Sequence, residues 1–109
     1  MYFICLKWGT MTNKVFAFHP GEDLLEAIEA RGWTQRQFAD IIGISSPALN
    51  AIIKGNRNIT PALAVRIGAA FWTSAEVWMN LQTHYDLSVA AEQEEERIST
   101  VHQRVLAYA

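Results

Sequence analysis

Apolar residues along this chain recur at helical rather than strand spacing, and turn-forming residues cut the pattern into short segments. Pro20 suits a first helical turn, Glu22 and Asp23 suit its positive end, and Leu24, Leu25 and Ile28 share one face until Gly32. A second helix is predicted over Gln35 to Ile42, with Thr34 as N-cap and Gly43 supplying the positive φ that ends it. Ser45 caps a third that reaches Lys54 before Gly55 stops it, so that Phe38, Ala39 and Ile42 face Ala48, Leu49 and Ile52 across the turn. Thr60 and Pro61 open a fourth helix, striped by Ala64, Ile67, Ala70 and Phe71. Thr73 with Glu76 three positions later reads as a capping box for a fifth, where Trp78, Leu81 and Tyr85 lie about a turn apart. Ser88 is the expected cap of a sixth, whose apolar face (Val89, Ala90, Ile98, Val101, Val105) is sparse. The predicted class is all-α, with residues 2–8 as a short N-terminal arm or strand.

Two short helices joined by a glycine turn, over residues 33–55, outline a helix-turn-helix, in which the second helix enters the DNA major groove. Its leading edge here is Ser46-Pro47-Ala48, which lacks the Arg, Gln and Asn forks that usually read base edges. The same geometry also arises as plain packing between helices, so the motif taken alone leaves DNA binding and protein contact open.

Charge changes this picture in one place. The 109 residues carry a net charge of -2, which argues against nonspecific coating of nucleic acid, a process that rests on neutralising many phosphates. Yet Arg36, Lys54, Arg57 and Arg66 stand against Asp40 alone between residues 33 and 66, whereas Glu92, Glu94, Glu95 and Glu96 cluster in the tail. The expected fold therefore shows DNA a locally positive face. Half the residues are apolar and 18% are charged, as in a single globular domain. The one cysteine, Cys5, rules out an internal disulfide and a cysteine-based zinc cluster. No stretch reaches membrane-spanning length and no export signal is read, so a cytoplasmic location is expected. For the aromatic segment 2–8 two readings stand: translation that begins at Met11, or an arm that docks on a neighbouring chain.

His19-Pro20-Gly21-Glu22, Arg31-Gly32-Trp33-Thr34-Gln35, and Trp78-Met79-Asn80-Leu81-Gln82 with Tyr85-Asp86-Leu87 together resemble the HigA/VapI antitoxin branch of the Cro/C1-type helix-turn-helix proteins. The resemblance implies a five-helix, lambda repressor-like domain over residues 19–87, preceded by an arm (1–18) and followed by a helical tail (88–109). It implies a homodimer that binds double-stranded operator DNA and represses its own operon. In toxin–antitoxin modules such a protein also holds a small RelE-like (HigB-like) ribonuclease toxin inactive. Stand-alone regulators share these motifs, as would an interaction module with weakened DNA reading.

Carried over by position, Gln35 would position a phosphate at the start of the second helix. Ser45, Ser46, Pro47 and Ala48 would form the recognition tip, with Asn50, Ala51 and Lys54 on its groove side. Ser46 and Asn50 can hydrogen-bond to bases, Pro47 and Ala48 can touch thymine methyls, and Lys54, Asn56 and Arg57 would reach the backbone. With so few reading groups, selectivity is expected to come from operator shape and half-site spacing. Against each stands a simpler role: Thr34 and Ser45 as caps, Gln35 and Asn50 as solvated side chains. Trp33, Trp72 and Trp78 are expected in the core. Trp72 is the exception, because the family usually has glycine there, so its ring must pack on the C-terminal helix or meet a partner. Trp72, Trp78 and Leu81 are the expected dimer or partner contacts. His19, His84 and His102 are scattered, and His19 beside Glu22 and Glu26 reads as helix-start chemistry rather than a metal site. Without a converging catalytic site, a phosphate-cradling loop or a metal cluster, no enzyme, cofactor, metal or small-molecule substrate is expected.

Overall fold

The computed structural model describes residues 18–109, which form six α-helices: α1 (Pro20–Ala30), α2 (Gln35–Ile42), α3 (Ser46–Ile53), α4 (Pro61–Phe71), α5 (Ala75–Gln93) and α6 (Glu95–Ala107). No strand occurs among the described residues, so the all-α expectation holds there. The expected N-terminal arm and the choice between Met1 and Met11 lie outside them.

The chain divides into two units, one of which spans Phe18–Tyr85 and the other of which includes Asp86–Ala109. The first is built around Leu24, Ile28, Phe38, Leu49, Ile52, Ala64 and Ile67, each at most 1% exposed. These are the apolar positions of α1 to α4 that repeat every three or four residues, so each helix buries one stripe. Trp33, Phe38, Phe71 and Trp78 extend that core as a chain of rings with neighbouring centroids 5.2–5.8 Å apart. Arg31 closes it. Its guanidinium lies 5.6 Å from the Trp33 ring and 5.5 Å from the Phe71 ring, and its Nη2 donates to the Phe71 carbonyl at 3.3 Å. One cation thus covers two rings and satisfies a carbonyl that α4 leaves over at its end.

Local chemistry sets most boundaries. His19 caps α1 by accepting the Gly21 N–H on Nδ1 at 2.9 Å, with Pro20 in the first turn, which bears out helix-start chemistry for this histidine. Thr34, Ser45 and Thr60 cap α2, α3 and α4. Gly32, Gly43 and Gly55 take φ of 74°, 76° and 83°, the left-handed region in which α1 and α2 can end and α3 can turn away.

Two expectations fail. Ser74 rather than Thr73 caps α5, since the Val77 N–H donates to Ser74 Oγ at 3.3 Å, while Thr73 Oγ1 accepts the Trp78 indole N–H at 3.0 Å. Thr73 is committed to a buried ring, so the box with Glu76 does not form. Ser88 caps nothing. It lies inside α5, which continues to Gln93, and α6 starts only after Glu94 turns at φ -101°, ψ 13°. Ser88 has no turn residue before it to halt the preceding helix, so a favourable N-cap type was not enough. Of the core and partner roles expected of Trp72, its 89% exposure fits the partner role. Trp72 holds the left-handed C-cap conformation of α4 (φ 59°, ψ 36°) that glycine usually fills.

Candidate nucleic-acid interface

The α2–α3 pair is a helix-turn-helix fixed from behind. Leu49 and Ile52 on the back of α3 are fully buried, and a Cβ at Gly21 would run into the carbonyl oxygens of Ile52 and Ile53. Glycine at position 21 therefore lets α1 lie directly on the C-terminal turn of α3. Arg66 Nη1 donates to the Ile42 carbonyl at 3.2 Å, so one of the four cations of the expected basic patch serves the end of α2.

On the other side of the motif, Ser45, Ser46 and Pro47 are exposed, and Ala48, Asn50 and Ala51 are half-buried. Ser45 Oγ accepts the Ala48 N–H at 3.2 Å. Because Pro47 has no N–H, Ser46 offers the remaining first-turn donor of α3 that lacks an intrahelical acceptor. The start of α2 is richer in donors. Thr34 and Gln37 form a reciprocal capping box, with the Gln37 N–H to Thr34 Oγ1 at 3.1 Å and the Thr34 N–H to Gln37 Oε1 at 2.9 Å. The N–H groups of Gln35 and Arg36 there have no intrahelical acceptor. The structure brings Gln35 and Asn50 together, as Asn50 Nδ2 donates to Gln35 Oε1 across a long 3.4 Å bond. Asn50 thus spends one amide hydrogen inside the motif, and Gln35 keeps its own NH₂ for another acceptor.

Beyond α3, Lys54, Asn56, Arg57 and Asn58 are exposed, and the loop they form is pinned at both ends. At the start, a Cβ at Gly55 would lie 3.6 Å from the His19 ring, and that ring meets Tyr85 edge-on at 5.0 Å. At the far end Ile59 is 2% exposed and its N–H donates to Gln82 Oε1 at 2.7 Å. Sequence reasoning missed Gln82 and Gly21 as structural anchors. Both lie in the quoted family blocks, which was the available signal. Of the expected contacts, Trp78 is 5% exposed within the core, and Leu81 is half-buried against that core. Among the described residues no group of His, Cys, Asp or Glu could hold a metal ion, and no helix is long and apolar enough to cross a membrane.

A family profile described as helix-turn-helix matches residues 24–78, the stretch from α1 to the start of α5. Virulence-associated protein I of Dichelobacter nodosus is 34% identical over 90 residues, 82% of each chain. The chain belongs to the Cro/C1-type helix-turn-helix family. Within this family it falls in the HigA/VapI branch, as its solved neighbours indicate. The Pseudomonas aeruginosa antitoxin HigA, solved with the higBA promoter, superposes with a TM-score of 0.71 at 35% identity, covering 75% of this chain and 90% of that one. PA4674 of the same organism, solved with its 28-bp operator, gives a TM-score of 0.73 at 33% identity, covering 77% and 93%. Cro/C1-type helix-turn-helix proteins of this branch are regulators and antitoxins, not enzymes.

Proposed function

We propose that the chain is a sequence-specific repressor that binds double-stranded operator DNA as a homodimer and serves as the antitoxin of a HigB/HigA-like toxin–antitoxin module. The observation that carries the DNA reading is the two-sidedness of α3: its back is immobilised by Gly21, Leu49 and Ile52, while its tip is exposed beside the unspent donors of α2. Relatives of the same fold, HigA and PA4674, were solved with promoter or operator DNA, which supports this use of the motif.

In this reading α3 enters the major groove. Gln35, with the backbone N–H groups of Gln35 and Arg36, holds one phosphate, and Lys54, Asn56 and Arg57 hold others. Ser46 and the remaining amide hydrogen of Asn50 donate to base edges, and Pro47, Ala48 and Ala51 lie against thymine methyls. Ser45 remains the cap that orients this tip. Selectivity then rests largely on operator deformability and on a half-site spacing near ~34 Å set by the dimer.

A mobility-shift titration against the region upstream of its own gene tests the reading. Salt-sensitive binding that resists competitor DNA is expected, and no binding at low salt would refute it. A protein-contact module is the second reading, favoured by the Ser46-Pro47-Ala48 tip without long forks and by the exposed Trp72 ring; the same absence of binding would select it. Repression of a shared operon and inactivation of a RelE-like ribonuclease toxin rest on the antitoxin relatives. Co-purification with the product of the adjacent gene tests that half, and failure of a small neighbouring basic protein to bind leaves the repressor alone.

A further inference from the structure

Trp78, Gln82 and Tyr85 recur on α5 at spacings of four and three, so one face of the helix carries all three. Trp78 belongs to the ring chain of the core. The other two reach the α3–α4 loop from behind, Gln82 through the 2.7 Å bond from the Ile59 N–H and Tyr85 through the His19 ring that backs Gly55. Between those anchors stand the exposed Asn56, Arg57 and Asn58.

We infer that Gln82 is a positioning residue for DNA binding: from inside the fold it fixes the loop whose polar side chains grip phosphate. The inference rests on the DNA reading above and adds a residue that itself never touches DNA. Gln82 is 2% exposed, so its amide has no direct access to a phosphate. Its Oε1 instead accepts the N–H at the point where the loop dives into the core, and Ile59 is the side chain that makes the dive. With that acceptor gone, a buried backbone donor is left unpaired and the loop must move to reach water. Phosphate contacts weaken with such a shift, because each depends on a donor held within hydrogen-bond reach of one oxygen. The loop is short and both its ends are fixed, so displacement at Ile59 carries Arg57 with it.

The test is the salt dependence of binding by the full chain, read by fluorescence anisotropy on two duplexes of equal length, one from the region upstream of its gene and one of scrambled sequence. Gln82→Met keeps the length of the side chain and removes the acceptor. It is expected to weaken binding to both duplexes by about tenfold, and to lower the slope of log K against log salt by about one, as loss of one phosphate contact does. In combination with Arg57→Ala the Gln82→Met loss should be less than additive, since both act on one contact. A lowered melting temperature with an unchanged slope would mark a merely structural role and overturn the inference. If Gln82→Met does not fold, Gln82→Asn, too short to reach Ile59, is read in the same way. Salt-independent or absent binding by the unmodified chain overturns the DNA reading and this inference together, whereas binding whose slope survives Gln82→Met overturns the inference alone.

Discussion

The two tight turns of the Phe18–Tyr85 unit share a backbone plan and differ in how they meet its demands. From α2 to α3 the chain runs Gly43-Ile44-Ser45, and from α4 to α5 it runs Trp72-Thr73-Ser74. In each the first residue is left-handed, with φ, ψ of 76°, 37° at Gly43 and 59°, 36° at Trp72, and the third is a serine whose Oγ accepts an N–H of the next helix. At the first turn glycine meets the conformational need, and the space around it is open: a Cβ there would find only Arg66 Nη1, at 3.9 Å. At the second turn the left-handed position is a tryptophan, and the glycine sits instead in α4. A Cβ at Gly68 would lie 2.8 Å from the Thr73 carbonyl oxygen and 3.2 Å from the Ala75 nitrogen. One glycine thus serves conformation and the other serves space.

That distinction is breakable. Gly68→Ala should do the most harm, because the atoms it meets are backbone and no rotamer change relieves them. The overpacking outweighs the ~1 kcal/mol that alanine normally gains over glycine within a helix, for a net loss of about 2 kcal/mol in denaturant unfolding. A neutral or stabilised Gly68→Ala protein would mean that the second turn is not tightly seated on α4. Gly43→Ala should cost about 1 kcal/mol through the left-handed conformation alone, and at such an open site a loss much above that would contradict the assignment.

Smaller effects sharpen the comparison. Ser74→Ala should lower stability by about 1 kcal/mol, matching Ser45→Ala, while Glu76→Ala stays within about 0.5 kcal/mol. The reverse order would restore the capping box of Thr73 and Glu76. Smallest, and opposite in sign, Trp72→Gly should raise stability by about 0.5 kcal/mol, as relief of the left-handed strain slightly exceeds the backbone entropy that glycine loses on folding. Loss of stability in the isolated chain would show that the Trp72 ring has an intrachain contact after all. Thermal melts of each variant beside the parent measure both.

Much of this fold was legible along the sequence. Helix starts at Thr34, Ser45 and Thr60 and the stop at Gly43 are decided within about four residues of themselves, and the structure has each where the pattern puts it. The face of each core helix was equally legible, because burial follows the helical repeat. Ser74 was missed where two cap-forming residues stand side by side: either suits the position, and the choice was made by Trp78, whose indole takes Thr73. The end of α5 was missed because Ser88 has the composition of a cap without a preceding stop. In the candidate interface the exposed tip at Ser46 and Pro47 could be read from helical phase, but the bond between Gln35 and Asn50 could not.

By itself, then, the sequence determined an all-α chain with a helix-turn-helix, its caps, its left-handed glycine and the membership carried by its flanking blocks. Those properties depend on short-range hydrogen bonding and on periodicity, which the order of residues contains directly. Tertiary structure alone decided that Gly21 lies under the Ile52 and Ile53 carbonyls, that Gln82 holds Ile59 and that the Thr73 hydroxyl goes to the Trp78 indole. Each joins residues brought together only by packing or depends on which side chain takes a shared partner. Packing is a property of the whole set of helices, and no local window of the chain carries it.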